Sequence, residues 1–241
     1  MKKVILIIYF LSIANLFGLE AKLEKIVDGM NKPWSLSFIN QNSILFTEKK
    51  GKLFHLDLKN KTISEIKHNL SVLEDGQGGL LDVLYDDKNV YLSYSEQRDG
   101  WKTSTSVAKG KFDMNNIQFK NIFRANPPID SGYHFGSRIV KKNNHLYISA
   151  GERGKGMIAQ DASKHPGSII RINLDGSIPK DNPKFKGKEN WLPEIYQIGV
   201  RNPQGMALSP FDNKIYMTNH GAKGGDWFGT ANHGENYGWK I

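Results

Sequence analysis

The chain has no cysteine among its 241 residues, which excludes disulfides, thiolate metal sites and a lipid-modified cysteine. Long hydrophobic runs are missing too. The most apolar stretch, Val4 to Ile13, is about half the roughly 20 residues that a transmembrane helix needs. There is no basic helix and no RNP-like aromatic strand, and pairs such as Lys49-Lys50 and Lys141-Lys142 fall in predicted turns. The net charge of +9 therefore reads as solvated turn lysines and not as a nucleic-acid surface. Such a positive field also attracts anionic ligands.

What is present begins with a leader-like segment. Lys2 and Lys3 precede the apolar stretch, and the segment closes near Leu19-Glu20-Ala21. This predicts a signal peptide over residues 1–21, a mature chain from Lys22, no stable membrane insertion, and a periplasmic or secreted location. Apolar residues make up 39% and aromatic residues 11% of the chain, enough for one substantial core and one domain. The 24 glycines fall between short runs of Val, Ile, Leu, Tyr and Phe, which favours an all-β fold.

Four segments share a plan of strand, tight turn and second strand: Trp34 to Glu48, Gln77 to Glu96, His134 to Gly154 and Arg201 to Gly221. Lys52 to Leu58 and Ser168 to Asn173 supply further strands. The segments recur every ~43 to ~67 residues, near the ~40 to ~50 of propeller repeats with room for insertions. Stacking sheets around an axis buries their faces and leaves only short edges. That spacing is too long for a β-helix rung, and a sandwich does not predict four similar segments, so the expected fold is a β-propeller with about four blades present.

The blocks GQGGLLDV (76–83), HFGSRIV (134–140), GSIIRINLDGSIPKDNP (167–183), RNPQGMALSP (201–210) and NYGW (236–239), in this order, resemble the glucose/sorbosone dehydrogenase family. The resemblance implies a six-bladed propeller over residues 22–241, incomplete at the C-terminus. It further implies pyrroloquinoline quinone (PQQ) and Ca²⁺ at the mouth of the central channel, and oxidation of aldose sugars at C1 to the lactone with an external electron acceptor.

On that resemblance His134 matches the family's general base. From the residues alone, a lone histidine near a strand start is more often structural or merely exposed. Glu152, where the family usually carries Asp, is the candidate that holds the imidazole tautomer; otherwise it is a solvated turn acid. Arg201 and Asn202 match the cofactor-contacting pair, Gln77 a nearby amide ligand, and Gln160 a weaker candidate on the sugar or cofactor side. Gly221 and Ala222 match the carbonyl pair that holds Ca²⁺, with Ala222 in place of the usual Pro. Arg201 equally suits an ion pair at a blade junction, Gln77 a turn cap, and Gly221 to Gly225 a plain turn.

The family continues beyond the position of Ile241 with further blades and further Lys and Arg contacts. An open arc is expected here, with the Trp34 blade and the Asn236 to Trp239 segment each lacking a neighbour. The alternative reading is a non-catalytic propeller fragment that binds a sugar or a protein partner.

Overall fold

The computed structural model describes residues 21–184 and 190–240; of the expected signal peptide only Ala21 lies inside that range. The described chain is almost wholly strand. The first blade is built from β1 (Pro33–Asn40), β2 (Ser43–Glu48), β3 (Lys52–Asp57) and β4 (Thr62–His68). The second uses β5 (Leu80–Asp86), β6 (Asn89–Gln97), β7 (Thr103–Lys111) and β9 (Phe119–Arg124), while β8 (Asn116–Ile117) joins the first blade parallel to β4. Next come β10 (Gly136–Lys142), β11 (His145–Ala150), a 3-10 turn (Gly156–Gln160), β12 (Ser168–Asn173) and β13 (Ile195–Ile198), forming the third blade. The fourth holds β14 (Pro203–Leu208), β15 (Ile215–Asn219) and β16 (Trp227–Thr230). No helix among the described residues is long and apolar enough to cross a membrane.

Each of the four sequence repeats is the inner hairpin of one blade. β1 pairs with β2, β5 with β6, β10 with β11 and β14 with β15, all antiparallel. The leading strands pack side by side, β1 on β5, β5 on β10 and β10 on β14, which is the four-blade propeller arrangement expected.

Period-two alternation explains why the blades stack. Leu45, Leu53 and Ile66 of the first blade meet Leu80, Val83, Val90 and Leu92 of the second. Tyr91, Val107 and Phe123 on the second blade's opposite face meet Ile139, Leu146, Ile148 and Ile170 of the third. Val140, Tyr147 and Ile169 then meet Met206, Ile215 and Met217 of the fourth. Each such fully buried aliphatic side chain contributes about 1.5–3 kcal/mol relative to exposure.

β7 breaks the apolar alternation that marks the other strands. Its Thr103, Ser104, Thr105 and Ser106 are all buried. Thr105 Oγ1 donates to the carbonyl of Phe135 and Ser106 Oγ to Glu96, and hydrogen bonding of this kind lets a polar strand be buried.

The end blades differ from the expectation in two ways. On the first blade, Ile44, Phe46 and Leu56 are partly covered by Val27 and Met30 of the preceding segment, although Leu36 and Phe38 remain more than half exposed. The stretch from Asn236 to Trp239 does not lack a partner. It docks along β13: Tyr237 N donates to Ile198 O at 3.1 Å and Trp239 N to Gly199 O at 3.0 Å. The fourth blade does face water, with Phe228 exposed and stacked on Tyr216 at 5.1 Å.

Candidate active site

The site is built from the segments just before β10 and β14 and just after β11 and β15. His134 lies just before β10, in a segment that turns sharply: His134 has φ 50° and Gly136 φ 65°. The turn fits because glycines surround it. A Cβ on Gly151 would run into the His134 carbonyl and the Asn202 side chain, and one on Gly136 into the Ser149 carbonyl. These close approaches require glycine at both positions.

Glu152 follows β11 directly and reaches the same place. Its Oε1 lies 2.6 Å from His134 Nδ1, and its Oε2 accepts from the Gly156 amide at 2.6 Å. Both side chains are largely buried, at 13% and 3% exposure. Burial alone would raise the Glu152 carboxyl. The hydrogen bonds from His134 and Gly156, with the nearby charge of Arg201, outweigh it and hold the carboxyl below its ordinary range. An ionised Glu152 accepts the Nδ1–H of a neutral imidazole, which leaves the lone pair on Nε2.

His134 and Glu152 line a cavity of about 720 Å³ together with Arg201, Ala222 and Trp239. Lys155, Met157 and Lys240 complete its wall. Arg201 donates from Nη1 to the His220 carbonyl at 3.1 Å, and its guanidinium lies 5.4 Å from the Trp239 ring. Trp239 arrives there because the docked segment 236–239 carries it along β13. Among the described residues its buried Nε1 has no hydrogen-bond partner. Three cationic side chains therefore border a cavity whose one lining carboxylate already holds His134. Such a wall fits a planar, multiply anionic ligand.

The structure brings together His134, Glu152, Arg201 and Ala222 in this cavity, and places the other sequence-derived candidates behind or beside it. Gln77 Oε1 accepts from the His134 backbone N–H at 2.8 Å. Asn202 is 2% exposed, and its Oδ1 accepts from the Gly136 amide at 3.0 Å. Both amides hold the turn that presents His134. Gln160 Nε2 donates to the Trp239 carbonyl at 2.6 Å, and its Oε1 accepts from Asn236 Nδ2 at 2.6 Å, so it latches the docked segment. Gly221 donates its N–H to Asp226 Oδ1 at 2.7 Å, and among the described residues no group of three or more His, Asp or Glu converges as a metal site.

Sequence reasoning missed Lys155, Met157, Trp239 and Lys240 as wall residues. The available signal was position: Lys155 sits in the same glycine-rich turn as Glu152, and Trp239 ends the NYGW block.

The Glucose / Sorbosone dehydrogenase family model matches residues 30–241. The chain belongs to that family. Aldose sugar dehydrogenase YliI of Escherichia coli (strain K12) is 35% identical over 229 residues, which cover 91% of this chain and 62% of that protein. Quinoprotein glucose dehydrogenase B of Acinetobacter calcoaceticus is 25% identical over 89% of this chain and 51% of its own length. Among solved structures, the apo form of the soluble aldose sugar dehydrogenase from Escherichia coli superposes with a TM-score of 0.86 at 36% identity, covering 90% of this chain and 65% of the other. The PQQ-bound form of aldose sugar dehydrogenase from Streptomyces coelicolor gives 0.79 at 25% identity, covering 90% and 65%. The chain thus spans less than two thirds of the length of each of these four proteins.

Proposed function

We propose that this chain carries the base and part of the cofactor wall of a PQQ- and Ca²⁺-dependent dehydrogenase that oxidises aldose sugars at C1 to the lactone. The observation that carries the reading is the 2.6 Å contact between His134 Nδ1 and Glu152 in a cavity otherwise edged by Arg201, Lys155 and Lys240. That combination pairs an oriented imidazole with a binding wall for a carboxylated quinone.

In this reading Arg201, Lys155 and Lys240 bind the carboxylates of PQQ, and the carbonyls of Gly221 and Ala222 hold Ca²⁺, an ion that accepts oxygen ligands without an acidic cluster. When bound, the quinone and the ion supply a two-electron acceptor for the C1 hydride. His134 Nε2 takes the proton of the C1 hydroxyl as that hydride leaves. Glu152 keeps the imidazole in the Nδ1–H form before the step and stabilises the imidazolium after it. Gln77 and Asn202 hold the turn in place, so the base needs little reorganisation. Turnover would then require an external electron acceptor. The charged and apolar residues at 1–21 support action in the periplasm or outside the cell.

The test is titration of the purified chain with PQQ in the presence of Ca²⁺, followed by absorbance, and then dye reduction by aldoses. Quinone binding with sugar-dependent reduction supports the proposal. Sugar or protein binding with no quinone uptake sinks it in favour of a non-catalytic propeller.

A further inference from the structure

Arg153 is 2% exposed, and among the described residues no carboxylate lies within ion-pair distance of it. Its guanidinium is spent on neutral oxygens instead. Nε donates to the Tyr133 carbonyl at 2.8 Å, Nη1 to the Thr103 carbonyl at 2.8 Å, and Nη2 to Thr103 Oγ1 at 2.8 Å and to the Ser131 carbonyl. The guanidinium plane sits 3.7 Å from the Phe135 ring centroid. Burial pushes the group down to about 10, with only the more distant charges of Asp75 and Glu152 opposing.

A buried cation without a paired acid is costly to keep, so what it touches matters. Every backbone group it holds belongs to one of two places. Ser131 and Tyr133 lie just before His134 on the turn that leads into β10, and Thr103 opens β7 on the neighbouring blade. Arg153 itself follows Glu152, and its backbone N–H points at the His134 carbonyl at 3.4 Å. His134 and Arg153 both have positive φ, 50° and 57°, a conformation that non-glycine residues rarely hold without surrounding support. The fork therefore joins the turn that bears the imidazole to the turn that bears its carboxylate partner, and anchors both to β7.

We propose that Arg153 is a positioning residue, whose guanidinium fixes the backbone around His134 so that Nδ1 meets Glu152. The proposal deepens the reading of His134 as the base. A lysine keeps the charge but offers a point donor in place of a planar fork, so charge alone does not restore the function.

The first readout needs neither cofactor nor sugar. Proton NMR of the ¹⁵N-labelled chain follows the His134 Nδ1–H resonance, assigned by its loss in H134Q, and compares wild type with R153K and R153M. In both variants that proton exchanges with water roughly tenfold faster or more, the factor expected when a hydrogen bond to a charged group is lost. In the loaded enzyme, R153K lowers kcat while leaving KM for the sugar nearly unchanged. A folded R153M or R153K whose Nδ1–H exchanges as in wild type overturns the proposal. So does failure of both variants to fold, since the guanidinium then serves the fold alone. If His134 is not the base, H134Q keeps its turnover while the exchange result stands, which separates the two failures.

Discussion

Nη1 of Arg138 lies 2.7 Å from Oδ1 of Asp82, and the leading strands of all four blades meet on that pair. Arg138 belongs to β10 and Asp82 to β5. Ser35 of β1 donates to the same Asp82 oxygen at 2.5 Å, and Arg138 Nε reaches the Gln204 carbonyl of β14 at 3.1 Å. Trp34 lies against the guanidinium at 4.6 Å. Asp82 is 3% exposed in this pair and burial pushes its carboxyl up against the Arg138 charge, so removing the cation leaves a buried carboxyl without its partner. Arg138→Met should therefore cost about 3–5 kcal/mol in urea unfolding. Lys102→Met, which breaks the exposed pair with Asp99, should change stability by about 0–1 kcal/mol. Similar unfolding midpoints for the two variants would refute the hub.

His134→Gln should lower sugar turnover by about 10² to 10⁴, the usual loss for a general base, while quinone affinity stays close to wild type. Steady-state kinetics and absorbance titration measure the two separately. Normal turnover in this variant removes His134 from the chemistry.

Glu152 gives a pH dependence whose sign follows from its depressed carboxyl. A group held below its ordinary value of 4.5 in the folded chain stabilises the fold above that value, and the contribution fades as pH falls through the lower native value. Glu152→Gln lacks this component. The stability difference between wild type and variant should be largest near neutral pH and shrink below about pH 4.5 in urea melts. A difference that is constant from neutral to acid pH would mean that the His134 contact does not stabilise the ionised form.

Arg201→Lys keeps a positive charge in the wall but loses the planar face against Trp239 and the fork geometry. Quinone affinity should fall about tenfold or more, with Kd read by absorbance. An unchanged Kd would remove Arg201 from direct contact.

Gly151→Ala tests the crowding beneath the base. The added methyl has no room between the His134 carbonyl and Asn202, so the variant should lose about 1–3 kcal/mol of stability and more activity than that loss accounts for. Wild-type kinetics and an unchanged Tm would show that the turn can shift freely.

The hairpins were legible because alternation is a local property. Residues such as Leu45 and Leu92 repeat at period two between glycine-marked turns, whichever blade they meet. β7 was not legible, since a run of Ser and Thr reads as loop until β6 and β9 supply its ladder partners. At the site, the residue types for the chemistry stood out within quoted blocks, yet their duties did not. Gln160 and Asn202 look like ligand amides in the sequence, and the fold also engages them on Asn236 and Gly136. An amide binds whichever donor or acceptor the tertiary structure brings first, and those partners lie 76 and 66 residues away.

Alternation and turn residues alone set the inner hairpins of four blades, and the quoted blocks show a histidine, a carboxylate and an arginine of one family, because period, turn chemistry and residue type are written locally. Only the tertiary structure decided that Lys155, Trp239 and Lys240 share a wall with His134, that Asn236 to Trp239 dock on β13, and that Arg153 is buried among carbonyls. Those relations join blades distant in sequence, and they exist only once stacking has buried the apolar faces between them.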